Sequence, residues 1–244
     1  MIEGLYSAAS GMEAQQQRLD AIGNDLANLN TTGYQTQRVG FENLLYNGAG
    51  AGASAGVTVG AGAQALTLGT DQSAGPLQQT GRALDVAISG DGYLQVRRPD
   101  GSVGMTRDGH LEVDGQGRLT DESGLLLQPP ITIPAGVSTQ DIQIGADGAV
   151  TAAGKPLGKL ALVTVPATDR LLEASGNLLV AGAASGAVRA ASAATITQGA
   201  VNGSNVDMAS EMSEMVDAQQ AYSLASRAIN IEQQMGQMAN GVKQ

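Results

Sequence analysis

The sequence predicts a mixed α+β fold: N- and C-terminal helices pairing as a coiled coil, with an intervening antiparallel all-β domain. Three observations predict it. Leu5, Met12, Leu19 and Leu26 recur every seven residues, with Ala8, Gln15, Ile22 and Leu29 interleaved three residues on. Met208, Met215, Tyr222 and Ile229 keep the same spacing near the other end of the chain. Between the two, short apolar runs alternate with Asp-Gly dipeptides. A seven-residue apolar repeat split three and four lays one narrow stripe along a helix, and that stripe needs a partner helix. Asp-Gly between short apolar runs is a strong local signal for a hairpin.

Taken in order, residues 1–33 form the N-terminal helical region, with the helix itself expected over 3–30. Its polar face carries Glu13, Gln16, Gln17, Asp20 and Asn24. Gly11 and Gly23 each weaken a helix by up to about 1 kcal/mol relative to Ala, so close approach of a second helix is expected there. The run Asn28-Leu29-Asn30-Thr31-Thr32-Gly33-Tyr34 ends the helix. Asn and Thr compete for backbone hydrogen bonds, and Gly33 can take a positive φ. Residues 34–65 are read as a short packed segment around Val39, Phe41, Leu44 and Leu45, followed by a Gly/Ala/Ser-rich linker.

Residues 66–197 carry the β domain. Strands are expected at Val86–Ile88, Tyr93–Val96, Leu111–Val113, Leu125–Leu127, Ile131–Ile133, Ile142–Ile144 and Leu160–Val165. Turns are expected at Asp91-Gly92, Asp100-Gly101, Asp108-Gly109, Asp114-Gly115 and Asp147-Gly148. The C-terminal helix lies in 198–244, with Ser204 or Asn205 as its N-cap. Asp207, Glu211 and Glu214 favour its N-terminal dipole. Two apolar stripes run along it, the heptad set and an offset set of Ala221, Leu224, Ala228, Ile231, Met235, Met238 and Val242. Two stripes imply two partners, one being the N-terminal helix and the other a second subunit. The candidate functional site is therefore an interface, built from Leu5, Met12, Leu19, Ile22, Leu26 and Leu29 with Met208, Met212, Met215, Tyr222, Leu224, Ile229, Ile231 and Met235.

Composition excludes several chemistries. The formal net charge of −10 disfavours nucleic acid, which needs clustered Lys and Arg. Cysteine is absent, so there is no disulfide, thiolate nucleophile or thiolate metal site. His110 is the only histidine, which rules out a multi-His metal site; it follows Asp108-Gly109 and is expected in an exposed turn. No Asp-Gly run has the spacing of a calcium loop, and Gly90-Asp91-Gly92 is followed by no helix that could bind a dinucleotide. Neither a catalytic residue nor a cofactor is expected. No apolar run reaches the roughly 20 residues that span a bilayer, and the N-terminal residues lack the pattern of a cleaved signal peptide.

Three separated motifs, in order, carry a family resemblance. Ser10-Gly11-Met12, Asn24-Asp25-Leu26-Ala27-Asn28 and Asn30-Thr31-Thr32-Gly33-Tyr34 form the first. Arg82 to Tyr93 with Thr106-Arg107-Asp108-Gly109 form the second. Gln198-Gly199, Ser204-Asn205-Val206-Asp207, Glu211-Met212, Met215-Val216 and Gln219 to Tyr222 form the third. Together they resemble the bacterial flagellar basal-body rod and hook axial protein family. Phe41 to Tyr46 and the overall size look most like its distal rod members, with proximal rod members as the nearest alternative. The resemblance implies a structural subunit that polymerises helically, its terminal helices forming an inner tube and its β domain an outer layer. It also implies export by the flagellar type III apparatus without signal cleavage, placement in the periplasm, and contact with other rod and hook proteins and surrounding rings. From a different class, a monomeric secreted β-domain that binds a glycan or another surface is the alternative.

Overall fold

The computed structural model of the protein describes residues 2–47, 58–174, 177–191 and 193–241. The chain divides into two compact units. Unit 1 comprises Met1–Ala27, Gln37–Leu68 and Asp207–Gln244; unit 2 comprises Asn28–Thr36 and Gly69–Val206. The chain therefore passes between the units four times, after Ala27, Thr36, Leu68 and Val206.

In unit 1, helix α1 spans Ile2–Ala27 and helix α2 spans Met208–Gly241. The two pack against each other as expected. They run antiparallel: Gly4 lies against Glu232, whereas Arg18 reaches Glu214. Between them in sequence come β1 (Gln37–Asn47) and β2 (Thr58–Thr70), which pair as a two-stranded sheet. Thr58 to Ala65 is thus strand where a linker was expected, and residues 48–57 of that expectation lie outside the described residues. Small side chains are what permit the strand to lie on α1. Gly62 takes φ +110, and a Cβ there would collide with the Ser10 hydroxyl, which in turn accepts the Ala63 amide at 3.3 Å.

Helix α1 stops at Ala27, three residues before the expected end, so Leu29 leaves the heptad and stands in the following turns. The cause is local. The Asn28 carbonyl accepts the Thr31 amide and its side chain accepts the Thr31 hydroxyl, both at 3.1 Å, an alternative to helical bonding.

Unit 2 is all antiparallel. Its strands are β3 (Leu77–Gln79), β4 (Val86–Ser89), β5 (Tyr93–Arg97), β6 (Val103–Thr106), β7 (Leu111–Val113) and β8 (Leu119–Asp121). There follow β9 (Leu126–Gln128), β10 (Ile142–Ile144), β11 (Ala149–Ala152), β12 (Lys155–Lys159) and β13 (Leu162–Thr164). The last are β14 (Leu172–Ala174), β15 (Leu178–Val180), β16 (Arg189–Ala190), β17 (Thr195–Gln198) and β18 (Ala200–Asn202). The main sheet runs β14-β15-β6-β5-β9-β8-β7, with β13 paired to β5 and β16; β10-β11-β12 form a second sheet. Strand β4 pairs with β17 and β3 with β18.

Several turns follow from the Asp residues ahead of the glycines. Asp100 Oδ1 accepts both the Ser102 amide at 2.8 Å and its hydroxyl at 2.6 Å, closing the β5–β6 hairpin. Asp114 Oδ1 accepts the Gln116 and Arg118 amides at 2.8 Å, holding β7 to β8, and the positive φ falls on Gly117 rather than Gly115. Asp108-Gly109 is different. Gly109 makes no hairpin turn; its carbonyl accepts the Val86 amide, and a Cβ on it would collide with the Val86 carbonyl oxygen. His110 accordingly is not in an exposed turn. It bridges to Asp85, whose fully buried carboxylate lies 3.4 Å from His110 Nδ1 and 3.7 Å from Arg82 Nε. Ile131–Ile133, expected as a strand, makes only an isolated bridge from Thr132 to Arg118, yet buries Ile131 and Ile133 in the core.

The core is aliphatic: Val86, Ile88, Leu94, Val96, Leu111, Leu119, Leu127, Ile142, Val150, Leu160 and Ile196 dominate it. Among the described residues Tyr93 is the one buried aromatic, in a second cluster with Met105, Val163, Val165, Leu171 and Leu179. Beside Tyr93 sits Arg107, only 5% exposed, which donates to the carbonyls of Gly92 (3.3 Å), Gln72 (2.7 Å) and Gly90 (3.1 Å). Its guanidinium lies 5.0 Å from the Tyr93 ring centroid, and the Tyr93 hydroxyl donates to Gln72. Arg107 thus ties the β4–β5 turn to the segment after β2. Replacing Arg107 by Ala is expected to destabilise unit 2 by about 2 kcal/mol, since three carbonyls, that of Gly92 in a buried bond, lose a charged donor. Urea unfolding followed by far-ultraviolet circular dichroism would measure it, and an unchanged midpoint would contradict the assigned role.

Candidate interaction surfaces

Helix α2 has two faces of different character. Its side against α1 mixes small, acidic and a few larger apolar residues: Ala218 is fully buried, Glu211 is 8% exposed, and Glu214, Met215, Ala221, Ala225, Ile229 and Glu232 are half-buried. The opposite side is a row of large apolar residues in the open. Met212, Val216, Leu224, Ile231, Met235 and Met238 are all exposed, from 46% at Met235 to 64% at Leu224. Their steps of four, eight, seven, four and three keep them on one side of a helix with 3.6 residues per turn.

The heptad residues divide accordingly. On α1, Ile22 is buried, while Leu5, Met12, Leu19 and Leu26 are half-buried on the flank; the deepest positions are Ala14, Ile22 and Asp25. On α2, Met215 and Ile229 lie in the seam with α1, whereas Met208, Tyr222, Leu224, Ile231, Met212 and Met235 are exposed. Leu224 and Ile231 therefore do not pair with α1, because Ala218, Ala221 and Ala225 take that side. Val242 lies outside the described residues. A Cβ placed on Gly11 or Gly23 would have nothing within 4 Å, so neither marks the close helix contact expected of it. Gly4 does: a Cβ there would collide with the Glu232 carboxyl. No periodicity in the sequence singles out Gly4 for that role.

The seam holds a charge imbalance. Asp25 is 1% exposed and accepts the Gln37 amide at 3.2 Å. Arg18 reaches Glu214 at 3.1 Å and stands 5.9 Å over the Phe41 ring. Glu211 sits among Asp25, Glu214 and Asp207 with Arg18 as the opposing charge. Burial, then the Asp25 and Glu214 carboxylates, push its carboxyl up to about 7.

Asn24 is on the exposed side of α1 and lines a shallow groove with Gln17, Asp20, Gln37 and Val39. In unit 2, Asn28, Asn30, Gly33 and Tyr34 form the loop that follows α1. Gly33, at φ +66, donates its amide to the Asn202 carbonyl at 2.8 Å, and a Cβ would meet the Asp108 amide nitrogen at 2.6 Å. Thr32 donates its hydroxyl to Asp108 at 2.8 Å; burial raises the Asp108 carboxyl, and the Thr32 and His110 bonds oppose that rise. Asn205 joins three backbone segments. Its Oδ1 accepts the Thr36 amide and hydroxyl, both at 2.8 Å, and its Nδ2 donates to the carbonyls of Asp71 (2.9 Å) and Ser73 (3.2 Å). Its own amide donates to the Tyr34 carbonyl at 3.3 Å. With both ends of its carboxamide occupied in this way, Asn205 is not the N-cap of α2. Ser204 turns onto the Val206 amide instead, and Asp207 caps the helix by accepting the Ala209 amide at 2.9 Å. Val206 is buried.

Asn202 is a residue that pattern reading missed. It is 5% exposed, its Oδ1 accepts the Ile88 amide at 2.7 Å, and its Nδ2 donates to the Ile88 carbonyl at 3.1 Å. A buried carboxamide that substitutes for a strand partner looks, in sequence, like any turn-forming Asn. Among the described residues no helix is long and apolar enough to cross a membrane.

Comparison with known proteins covers both ends and the middle of the chain. Residues 5–35 match the family described as flagella basal body rod protein. Residues 87–152 match the flagellar hook protein FlgE/F/G D1 domain, and residues 197–242 the flagellar basal body rod FlgEFG protein C-terminal family. The flagellar basal-body rod protein FlgG of Buchnera aphidicola subsp. Baizongia pistaciae is 34% identical, over 96% of this chain and 97% of its own. That of Borreliella burgdorferi is 34% identical over 100% of this chain and 99% of its own. The rod protein FlgF of Salmonella typhimurium is 30% identical over 94% of this chain and 93% of its own.

The helix seam and the loop after α1 each have a measurable consequence. A Glu211 carboxyl raised from 4.5 to about 7 makes the folded chain bind more protons than the unfolded one in that window. Stability contributed by this group is therefore fully present below pH 4.5 and lost as pH rises to about 7. Glu211→Gln should remove that slope and leave the variant up to about 3 kcal/mol more stable than the parent at pH 8, as read from urea midpoints between acid and mildly alkaline pH. Separately, Gly33→Ala forces a side chain into the left-handed region and against Asp108. A loss of about 2 kcal/mol is expected, and thermal unfolding at equal ionic strength would reveal it.

Proposed function

The chain belongs to the flagellar basal-body rod and hook axial protein family, most like its FlgG members, and is a structural subunit of the rod; on that premise we propose how it assembles. Copies polymerise helically into a hollow drive shaft that carries torque toward the hook, with α2 supplying an intersubunit surface. The observation that carries this reading is the uncovered row Met212, Val216, Leu224, Ile231, Met235 and Met238. Soluble monomers seldom leave a contiguous large apolar row in water, and such rows usually mark a protein partner. A heterologous contact that does not close into a ring generates a helical filament. Methionine, three times in the row, adapts its shape to a partner that meets it at more than one angle. Met208, also exposed, lies one turn before Met212 at the edge of this surface, whereas Tyr222 is on the side of Met215 and Ile229, and Leu5, Met12, Leu19, Ile22 and Leu26 belong to the pairing of the two helices within one subunit.

The same reading extends to neighbours and route. Other rod and hook axial proteins bound the polymer along its length, and ring proteins surround it. The subunit leaves the cytoplasm through the flagellar type III apparatus without signal cleavage and works in the periplasm, at the distal part of the rod. The cysteine-free sequence supports that route, because nothing in it needs oxidising after an unfolded passage.

The test places one charge in the row. Leu224→Asp or Ile231→Asp leaves the α1 seam untouched, so the helical circular dichroism of the purified chain should be retained. Burying an unpaired carboxylate in an intersubunit contact should weaken assembly by about 100-fold or more, seen as monomer by sedimentation and as cells without completed rods and hooks. Normal rods from both variants would remove α2's exposed row from the interface.

A further inference from the structure

We propose that Thr195–Val206 is a folding latch: unit 2 acquires a stable core only when this segment docks, late in the chain, onto strands that have no other strand partner among the described residues.

The pairing pattern carries the argument. Most strands of unit 2 pair with a neighbour close in sequence: β5 with β6, β7 with β8, β10 with β11, β14 with β15. Strands β3 and β4 do not. Among the described residues, β3 pairs with β18 alone and β4 with β17 alone. The register runs Gln79↔Ala200 to Leu77↔Asn202, and Ser89↔Thr195 to Val86↔Gln198. Yet β4 is central to the core, with Val86, Ala87 and Ile88 at most 1% exposed. Backbone groups in that setting must find partners, and the strands that supply them arrive only near the end of the chain.

Three carboxamides add to the strand pairing. Gln198 Nε2 donates to the carbonyls of Ala83 (2.7 Å) and Ile142 (2.8 Å), and its Oε1 accepts the Ile144 amide at 3.1 Å. It thus joins the approach to β4 with β10. Asn202 pairs both backbone groups of Ile88, and its carbonyl takes the Gly33 amide. Asn205 gathers Tyr34–Thr36 and Asp71–Ser73. Between them, Ile196 fills the main core at 3% exposed, and Ala200, Val201 and Val206 are buried. Gly203 passes so close to Gly75 that a Cβ on Gly75 would collide with the Gly203 carbonyl oxygen. Remove the segment and the chain loses a core side chain, two strand ladders and the satisfaction of Ile88, Ile142 and Ile144 together.

Long sequence separation makes such contacts slow to form, since the loop entropy is lost before the contact returns anything. A chain emerging N-terminus first presents β3 and β4 without a strand partner until its last residues, about fifty of them, follow. Resting on the export reading above, the latch keeps unit 2 from closing while the chain still has to pass unfolded through a channel.

Native-state hydrogen exchange on the purified full-length monomer tests the latch without reference to rods. If the latch holds the core, the amides of β17 and β18 exchange in the same cooperative opening as those of β5 and β6, with the same response to low urea. Exchange of 195–206 through a separate, easier opening, with β5 and β6 still protected, would overturn the proposal. Asn202→Ala supplies the second arm. It should speed exchange at β4, β5 and β6 by a common factor of at least about tenfold. Acceleration confined to Ile88 and its neighbours would reduce the segment to a local strap and refute the latch. If the variant does not fold at all, the parent protein's exchange pattern still decides.

Discussion

Unit 2 depends on one constraint: the backbone of β4 lies in the middle of an aliphatic core and must have its hydrogen bonds supplied there. Strand β17 supplies one edge, the Asn202 carboxamide takes Ile88, and the Gly109 carbonyl takes Val86. Because the core contains little aromatic surface, apolar burial is modest per residue, and polar side chains hold the architecture where strands do not reach. Arg107 and Gln198 serve the same end, each linking three backbone groups from segments far apart in the chain. Buried groups of this kind are stabilising only as complete sets, since each unpaired member carries a full desolvation penalty.

Much of the fold was legible in the sequence. Apolar runs at Val86, Tyr93, Leu111 and Ile142 became strands because alternation and a following turn residue are local properties. The terminal helices and their pairing were legible from the heptads for the same reason. What was not legible was non-local. Nothing in Ala149–Ala152, Leu178–Val180 or Ala200–Asn202 distinguishes a short strand from a loop until its partner is known. The Gly/Ala stretch that reads as a linker becomes strand over Thr58–Ala65 because Ser10 accepts the Ala63 amide and Gly62 allows the approach. His110 reads as a turn residue because Asp-Gly precedes it, yet Asp85 draws it into a buried pair.

The candidate surfaces divide in the same way. The heptads located the helix pair; of their members on α2, Met215 and Ile229 lie in the seam, whereas Met208 and Tyr222 are exposed. A stripe of alanines at Ala218, Ala221 and Ala225 packs closely beside Met215 and Ile229, and the offset stripe of Leu224, Ile231, Met235 and Met238 is turned outward. Hydrophobicity marks both faces of such a helix and cannot rank them; side-chain size decides which face meets the nearer partner. The motif around Asn205 was recognised as a unit, but its role in gathering Tyr34, Thr36, Asp71 and Ser73 depends on segments that lie far from it in the chain.

The Gly4–Glu232 contact has a consequence for the geometry of the helix pair. The alanines of α2 discriminate poorly against translation: slide one helix by a turn, about 5.4 Å, and they again offer only small side chains to α1. The notch at Gly4 admits the Glu232 carboxyl at one setting only, since any other residue of the turn would present a Cβ to it. It works as a detent near one end of the helix pair, at the same offset at which Arg18 meets Glu214.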